Sequence, residues 1–132
     1  MLLAIVALAA CSRPPASLCR TPAECAAFDG KRVTVVGIYR ALPHPKGAVR
    51  GESEPILARV DLGSGEGPYL EPFYKPAARR NDGELKRLDG KRVRVTGVYY
   101  PEQPRNPADP PYAAAMGGSC IADIEELAPA PE

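Results

Sequence analysis

The chain contains one internal repeat, at an offset of 60 residues, and this repeat limits the fold more than any other feature. Phe28-Asp29-Gly30-Lys31-Arg32-Val33-Thr34-Val35-Val36-Gly37-Ile38-Tyr39 matches Leu88-Asp89-Gly90-Lys91-Arg92-Val93-Arg94-Val95-Thr96-Gly97-Val98-Tyr99. Upstream, Thr21-x-x-Glu24 and Asn81-x-x-Glu84 fall at the same offset, and each reads as a capping box. Pro22 suits a first helical position. Each copy therefore predicts a short helix, a stop at Gly30 or Gly90 in a left-handed cap, and a strand. In the first strand Val33, Val35 and Tyr39 share one face, with Arg32 and Thr34 opposite. In the second, Val93, Val95 and Tyr99 oppose Arg92, Arg94 and Thr96. Beyond Gly37 and Gly97 the outer face turns apolar at Ile38 and Val98, which predicts a bulge or sharp coil at each glycine. A length of 132 residues allows one domain. Sixty residues per copy leave too little core for two, so the repeat reads as pseudo-symmetry within one barrel.

Two strand candidates lie between the copies, residues 56–62 and 68–74. They are joined by the hairpin loop Gly63-Ser64-Gly65-Glu66-Gly67. Cys120 to Leu127 is a fifth strand, and Pro101 to Pro111 is a Pro-rich loop. The 16 prolines and 12 glycines fit short elements with many turns, and an apolar share of 45% argues against disorder. A helix between the third and fourth of five strands resembles the OB-fold order over residues 28–127. The expected fold is mainly β: a small five-stranded OB-like barrel with two short helices, preceded by a signal peptide and a flexible tether.

The N-terminal expectation rests on Leu2 to Ala10, an uncharged apolar run about half the length of a bilayer-spanning helix. It ends in Leu8-Ala9-Ala10-Cys11, which resembles the lipobox of bacterial lipoproteins at all four positions. That family's basic n-region has no counterpart between Met1 and Leu2. The resemblance implies cleavage before Cys11, diacylglycerol on its thiol and acylation of the new amino group. It also implies, through Ser12, an outer-membrane address facing the periplasm or the surface. The expected organisation is a signal peptide at 1–10, a lipidated tether at 11–18, the barrel at 19–127 and a flexible tail at 128–132.

An exported chain meets an oxidising compartment, where Cys19, Cys25 and Cys120 make an odd set. Cys19–Cys25 is the favoured bridge. A Cys19–Cys120 bridge with Cys25 free and buried is the rival. A C-x5-C spacing lacks zinc knuckles, and no C-x-x-C is present.

Net charge is +1, but its distribution is uneven. Between Lys75 and Arg94, eight basic residues against three acidic ones leave +5. After Tyr100, Arg105 against six acidic residues leaves −5. The acidic tail is expected to lie over the basic region; a basic patch for an anionic partner is the alternative.

The residues predict no catalytic site, no metal and no cofactor. His44 stands between two prolines in a loop. Asp123, Glu125 and Glu126 read as a solvated acidic strand edge. Gly63-x-Gly65-x-Gly67 is followed by no helix and is not a dinucleotide fingerprint. Tyr39 and Tyr99 belong to core packing, while Tyr100 is the better exposed ring beside Arg92 and Arg94; Tyr112 completes the aromatic set. OB-like barrels bind around strands 2 and 3, which singles out Arg59 and Lys75. The expected function is a lipid-anchored binding or assembly module of the cell envelope. Its partners would be the membrane, through Cys11, and an envelope protein or anionic envelope component. Nucleic acid is disfavoured by location. The alternative is a small envelope enzyme or inhibitor subunit acting through loops 41–55 and 101–119.

Overall fold

In a computed structural model of the chain, the two copies of the repeat pair with one another. The structure describes residues 14–43, 55–110 and 117–131. Strands β2 (Lys31–Leu42) and β5 (Arg92–Tyr100) run antiparallel, with Val35 opposite Val95. Val95 is the residue that matches Val35 in the repeat, so a pseudo-twofold axis passes through this pair. Symmetry mates follow on either side. Val33 faces Gly97, and Gly37 faces Val93. The Gly30 N–H donates to the Tyr99 carbonyl at 2.7 Å, and the Gly90 N–H donates to the Tyr39 carbonyl at 2.8 Å.

The remaining strands close the ring. β3 (Leu57–Asp61), β4 (Tyr69–Leu70) and β6 (Cys120–Pro129) complete the order β2-β3-β4-β6-β5, with β5 returning to β2. Numbered from β2, the ring reads 1-2-3-5-4, with the third and fifth strands parallel. Helix α2 (Asp82–Leu88) lies between the third and fourth, as expected of an OB-like barrel. The core is one cluster. It holds the inward sides of the repeat (Val33, Val35, Tyr39, Val93, Val95, Tyr99) with Val60, Leu70, Leu85, Leu88 and Ile121. Burying each such Val or Leu contributes about 1.5–3 kcal/mol.

The caps are formed, though not identically. Helix α1 (Pro22–Cys25) starts at Thr21, whose hydroxyl accepts from the Glu24 N–H at 3.1 Å. The Glu24 carboxylate reaches back to the Arg20 N–H at 2.8 Å. In α2 the Asn81 side chain accepts from Gly83 and Glu84, but the Glu84 carboxylate points elsewhere. The stops are type II turns rather than helix caps. Asp89 is extended at φ −56° and ψ 126°, Gly90 follows at φ 82°, and the Lys91 N–H donates to the Leu88 carbonyl at 2.9 Å.

Several boundaries differ from the sequence expectation. Ser17–Cys19, two residues of which were assigned to the tether, forms a short strand β1 parallel to β2. It takes the edge of β2 that β5 leaves open. β6 continues two residues past Leu127, into the span assigned to the tail, because the β5 edge still offers partners there; the Ala130 N–H then donates to the Arg92 carbonyl at 2.9 Å. The segment expected as a strand over 68–74 pairs only at Tyr69 and Leu70. Glu71 adopts a left-handed φ of 72°, and Pro72 opens a turn closed by the Lys75 N–H.

Of the bulge or sharp coil expected at Gly37, the bulge is absent. β2 keeps strict alternation through Gly37, which faces inward, and the pairing with β5 is unbroken. What Gly37 permits is close approach: a Cβ there would lie 2.3 Å from the Asp61 carbonyl oxygen. The irregularity falls in β6, opposite Gly97. Between the pairs Thr96–Glu126 and Val98–Ala122, β6 carries two more residues than β5, and Asp123 takes φ 51°.

Cys19 and Cys25 are bridged and fully buried, and Cys120 is buried without a bridge. The rival pairing is therefore not the one adopted. Closing so short a loop is worth about 2 kcal/mol in the chain-entropy model. A Cys19→Ser/Cys25→Ser variant is expected to lose about that much, read by urea unfolding; an unchanged midpoint would contradict it. Burial pushes the Cys120 thiol up to about 12, with the nearby Glu71 charge adding to the effect and Lys75 opposing it. A folded Cys11→Ala chain is thus expected to resist alkylation at pH 8 and to react at Cys120 only after denaturation.

Candidate functional site

Two outer walls of the barrel carry the residues singled out by the sequence. The first is formed by β3 and β4, the usual binding wall of such barrels. Here the arginine is already engaged. Arg59 donates to the Gly65 carbonyl at 2.9 Å and to the Tyr69 hydroxyl at 2.6 Å, and its guanidinium lies 4.4 Å from the Tyr69 ring centroid. The Phe73 ring meets Tyr69 edge-on at 4.6 Å. The Gln103 side-chain oxygen accepts from the Phe73 N–H at 2.9 Å, which ties the Pro-rich loop to this wall. Arg59 thus works as a hairpin brace, with its Nε buried and unpartnered among the described residues.

Lys75 lies beyond β4 and pairs with Asp123 at 3.3 Å. Burial opposes its charge, but the hydrogen bond and charge of Asp123 hold the ammonium above its ordinary value. Glu71 was not anticipated as a structural residue. Its buried carboxylate accepts from the Asp123 N–H at 3.1 Å and the Ile124 N–H at 3.2 Å. It fills the β6 bulge and satisfies two backbone donors that the ladder leaves unpaired. A charged residue beside a proline at the end of a strand is a weak sequence signal, since the bulge it serves lies 52 residues away.

The second wall is the outer face of β1, β2 and β5. β5 takes one edge of β2 over residues 31–38; β1 and β3 share the other edge, end to end. Where β1 stops and β3 begins, a groove of about 490 Å3 opens, lined among others by Leu18, Arg20, Val36, Ile38, Leu62 and Arg92. Cross-strand pairs alternate apolar and basic residues: Ile38 opposite Arg92, and Val36 opposite Arg94. Arg20, Arg92 and Arg94 are exposed, and their guanidinium groups make no hydrogen bond or ion pair among the described residues. Leu18 is 48% exposed.

The structure thus separates residues that the sequence grouped. Arg92 and Arg94 share this wall, while Arg59 and Lys75 stand on the other. Tyr100 is half-buried opposite Cys120 and does not join Arg92 and Arg94 as an exposed ring. Tyr39 and Tyr99 are core residues, as expected. The acidic tail reaches Lys75 through Asp123 and Arg32 through Glu125, leaving Arg92 and Arg94 uncovered. Asp123 and Glu125, at the two ends of the bulged segment, therefore serve different cations. Among the described residues no acidic, His or Cys cluster is arranged to hold a metal, and no helix is long and apolar enough to cross a membrane. Cys11, His44 and Tyr112, with residues 44–54 of loop 41–55 and 111–116 of loop 101–119, lie outside the described residues.

A scan of the chain against protein-family models gives no match, and neither the curated proteins nor the solved structures give one.

Proposed function

We propose that this chain is a lipid-anchored binding or assembly module of the bacterial cell envelope, attached through Cys11. The observation that carries the reading is the Cys19–Cys25 bridge. Disulfides of this kind belong to oxidising compartments, the destination that the lipobox-like Leu8-Ala9-Ala10-Cys11 implies. An OB-like barrel suits a binding role, because its walls and loops present side chains from a rigid frame.

The test is metabolic labelling with a fatty acid. The wild-type chain should incorporate label, and a Cys11→Ala variant should not. Equal labelling of the two, or none in either, removes the anchor from the proposal.

A further inference from the structure

The anchor and the barrel are close together in the chain. Arg32 donates from Nη1 to the Pro14 carbonyl at 2.6 Å and from Nε to Glu125 at 2.8 Å. Pro14 is thereby held against the outer face of β2, and Ser17–Cys19 continues along β2 as β1. Three residue steps separate Cys11 from Pro14. An extended chain spans at most about 3.6 Å per residue, so lipid on Cys11 would lie within roughly 11 Å of this clamp. A tether that short restricts which side of the barrel can meet the bilayer.

The β1–β2–β5 wall has the chemistry of a surface that rests on lipid. Leu18, Val36 and Ile38 supply apolar area, and Arg20, Arg92 and Arg94 stand among them with no protein partner among the described residues. Among the described residues, most acids at this wall are engaged: Arg32 holds Glu125, while Asp61, which lines the groove, and Glu24 have partners of their own. Asp61 accepts from the Gly63 and Gly65 N–H groups and faces Arg40, and Glu24 caps the Arg20 N–H. Glu126 lies opposite Thr96, one cross-strand pair further along. Arginine stems can cover apolar surface while their heads reach phosphates.

Resting on the proposed anchor at Cys11, we infer that this wall is the face by which the barrel lies on the membrane, with Arg20, Arg92 and Arg94 on the phosphates of an anionic bilayer and Leu18, Val36 and Ile38 against its interface. The opposite wall, around β4 and Tyr74, then faces away and is left for the partner.

The test uses the full chain, acylated and reconstituted into vesicles of phosphatidylglycerol and phosphatidylcholine. A nitroxide is placed at Arg94→Cys or at Tyr74→Cys. The label at 94 should relax with oxygen dissolved in lipid, and the label at 74 with an aqueous nickel chelate. If Cys11 is acylated and both labels report water, the face is wrong and the anchor stands. If the label at 94 is shielded from both relaxers, protein covers this wall and the lipid assignment falls.

A second measurement does not depend on acylation. A full-length Cys11→Ala chain is compared with the same chain carrying Arg20→Gln, Arg92→Gln and Arg94→Gln. The apolar run at 2–10 is common to both. Each arginine removed should weaken binding to the same vesicles about fivefold, and all three together about a hundredfold. Equal binding by the two chains overturns the inference even if Cys11 proves to be acylated.

Discussion

Replacing Glu84 with Ala is expected to cost about 3–5 kcal/mol, a large part of the stability of a domain this size. Glu84 sits 16% exposed between two partners. Arg80 grips it twice, from Nε at 2.8 Å and from Nη2 at 2.9 Å, and the Tyr39 hydroxyl donates to it at 2.6 Å. Removing the carboxylate leaves a mostly buried guanidinium and a core phenol without their acceptor, which is costlier than never having had the pair. By the usual relation between stability and midpoint, Tm should fall on the order of 15 °C or more. Combining Glu84→Met with Arg80→Met and Tyr39→Phe should recover much of the loss. A single variant that melts like the wild type would remove the network from the account.

The same carboxylate sets an acid limit. Burial alone would raise Glu84, but the hydrogen bonds from Arg80 and Tyr39 and the charges of Arg80 and Arg87 outweigh it and hold the carboxyl below the usual 4.5. A folded-state value depressed below the unfolded one means the stabilisation is fully present above pH 4.5. It is lost as pH falls through the folded value. The acid limb of the stability profile should therefore flatten in Glu84→Gln. Burial and the Glu84 charge move the Tyr39 phenol the other way, upward, so Tyr39 stays protonated across the working range.

Gly37→Ala is expected to cost about 2–3 kcal/mol through overpacking. The new methyl would lie 2.3 Å from the Asp61 carbonyl oxygen and 2.9 Å from Val60 Cγ1, so β3 would have to leave β2 beside the Ile38–Asp61 pair. Gly97→Ala, at the symmetry-related position, would meet the Ala122 carbonyl at 2.6 Å and Ile121 at 3.0 Å. Gly117→Ala is the control, with nothing within 4 Å of the added carbon. Thermal melts of the three variants should show two large losses and one near-neutral change. A neutral Gly37→Ala would mean that β3 can shift at no cost.

Much of the barrel was legible in the chain because its signals are local. The alternation at Val33, Val35 and Tyr39 and the left-handed glycines at 30 and 90 follow from steric preferences of a few residues. The sequence by itself also determined that the two copies belong to one core, since neither carries enough apolar surface alone.

Only the tertiary structure decided the rest. The identical motif Asp-Gly-Lys-Arg-Val is used twice, yet Arg32 is drawn to Glu125 and Pro14 while its mate Arg92 stays exposed. Glu24 and Glu84 occupy matching cap positions, but one turns back to its own helix and the other inward to Tyr39. Arg59 read as a ligand residue because its partner Tyr69 lies across a hairpin whose register no local pattern specifies. Gly37 and Gly97 announced a bulge or sharp coil, and which strand would bulge depended on the backbone that arrives opposite them. Local preference acts over a turn or a strand. The fate of a polar side chain depends on what the closed ring brings to it, and that contact exists only once the ring has closed.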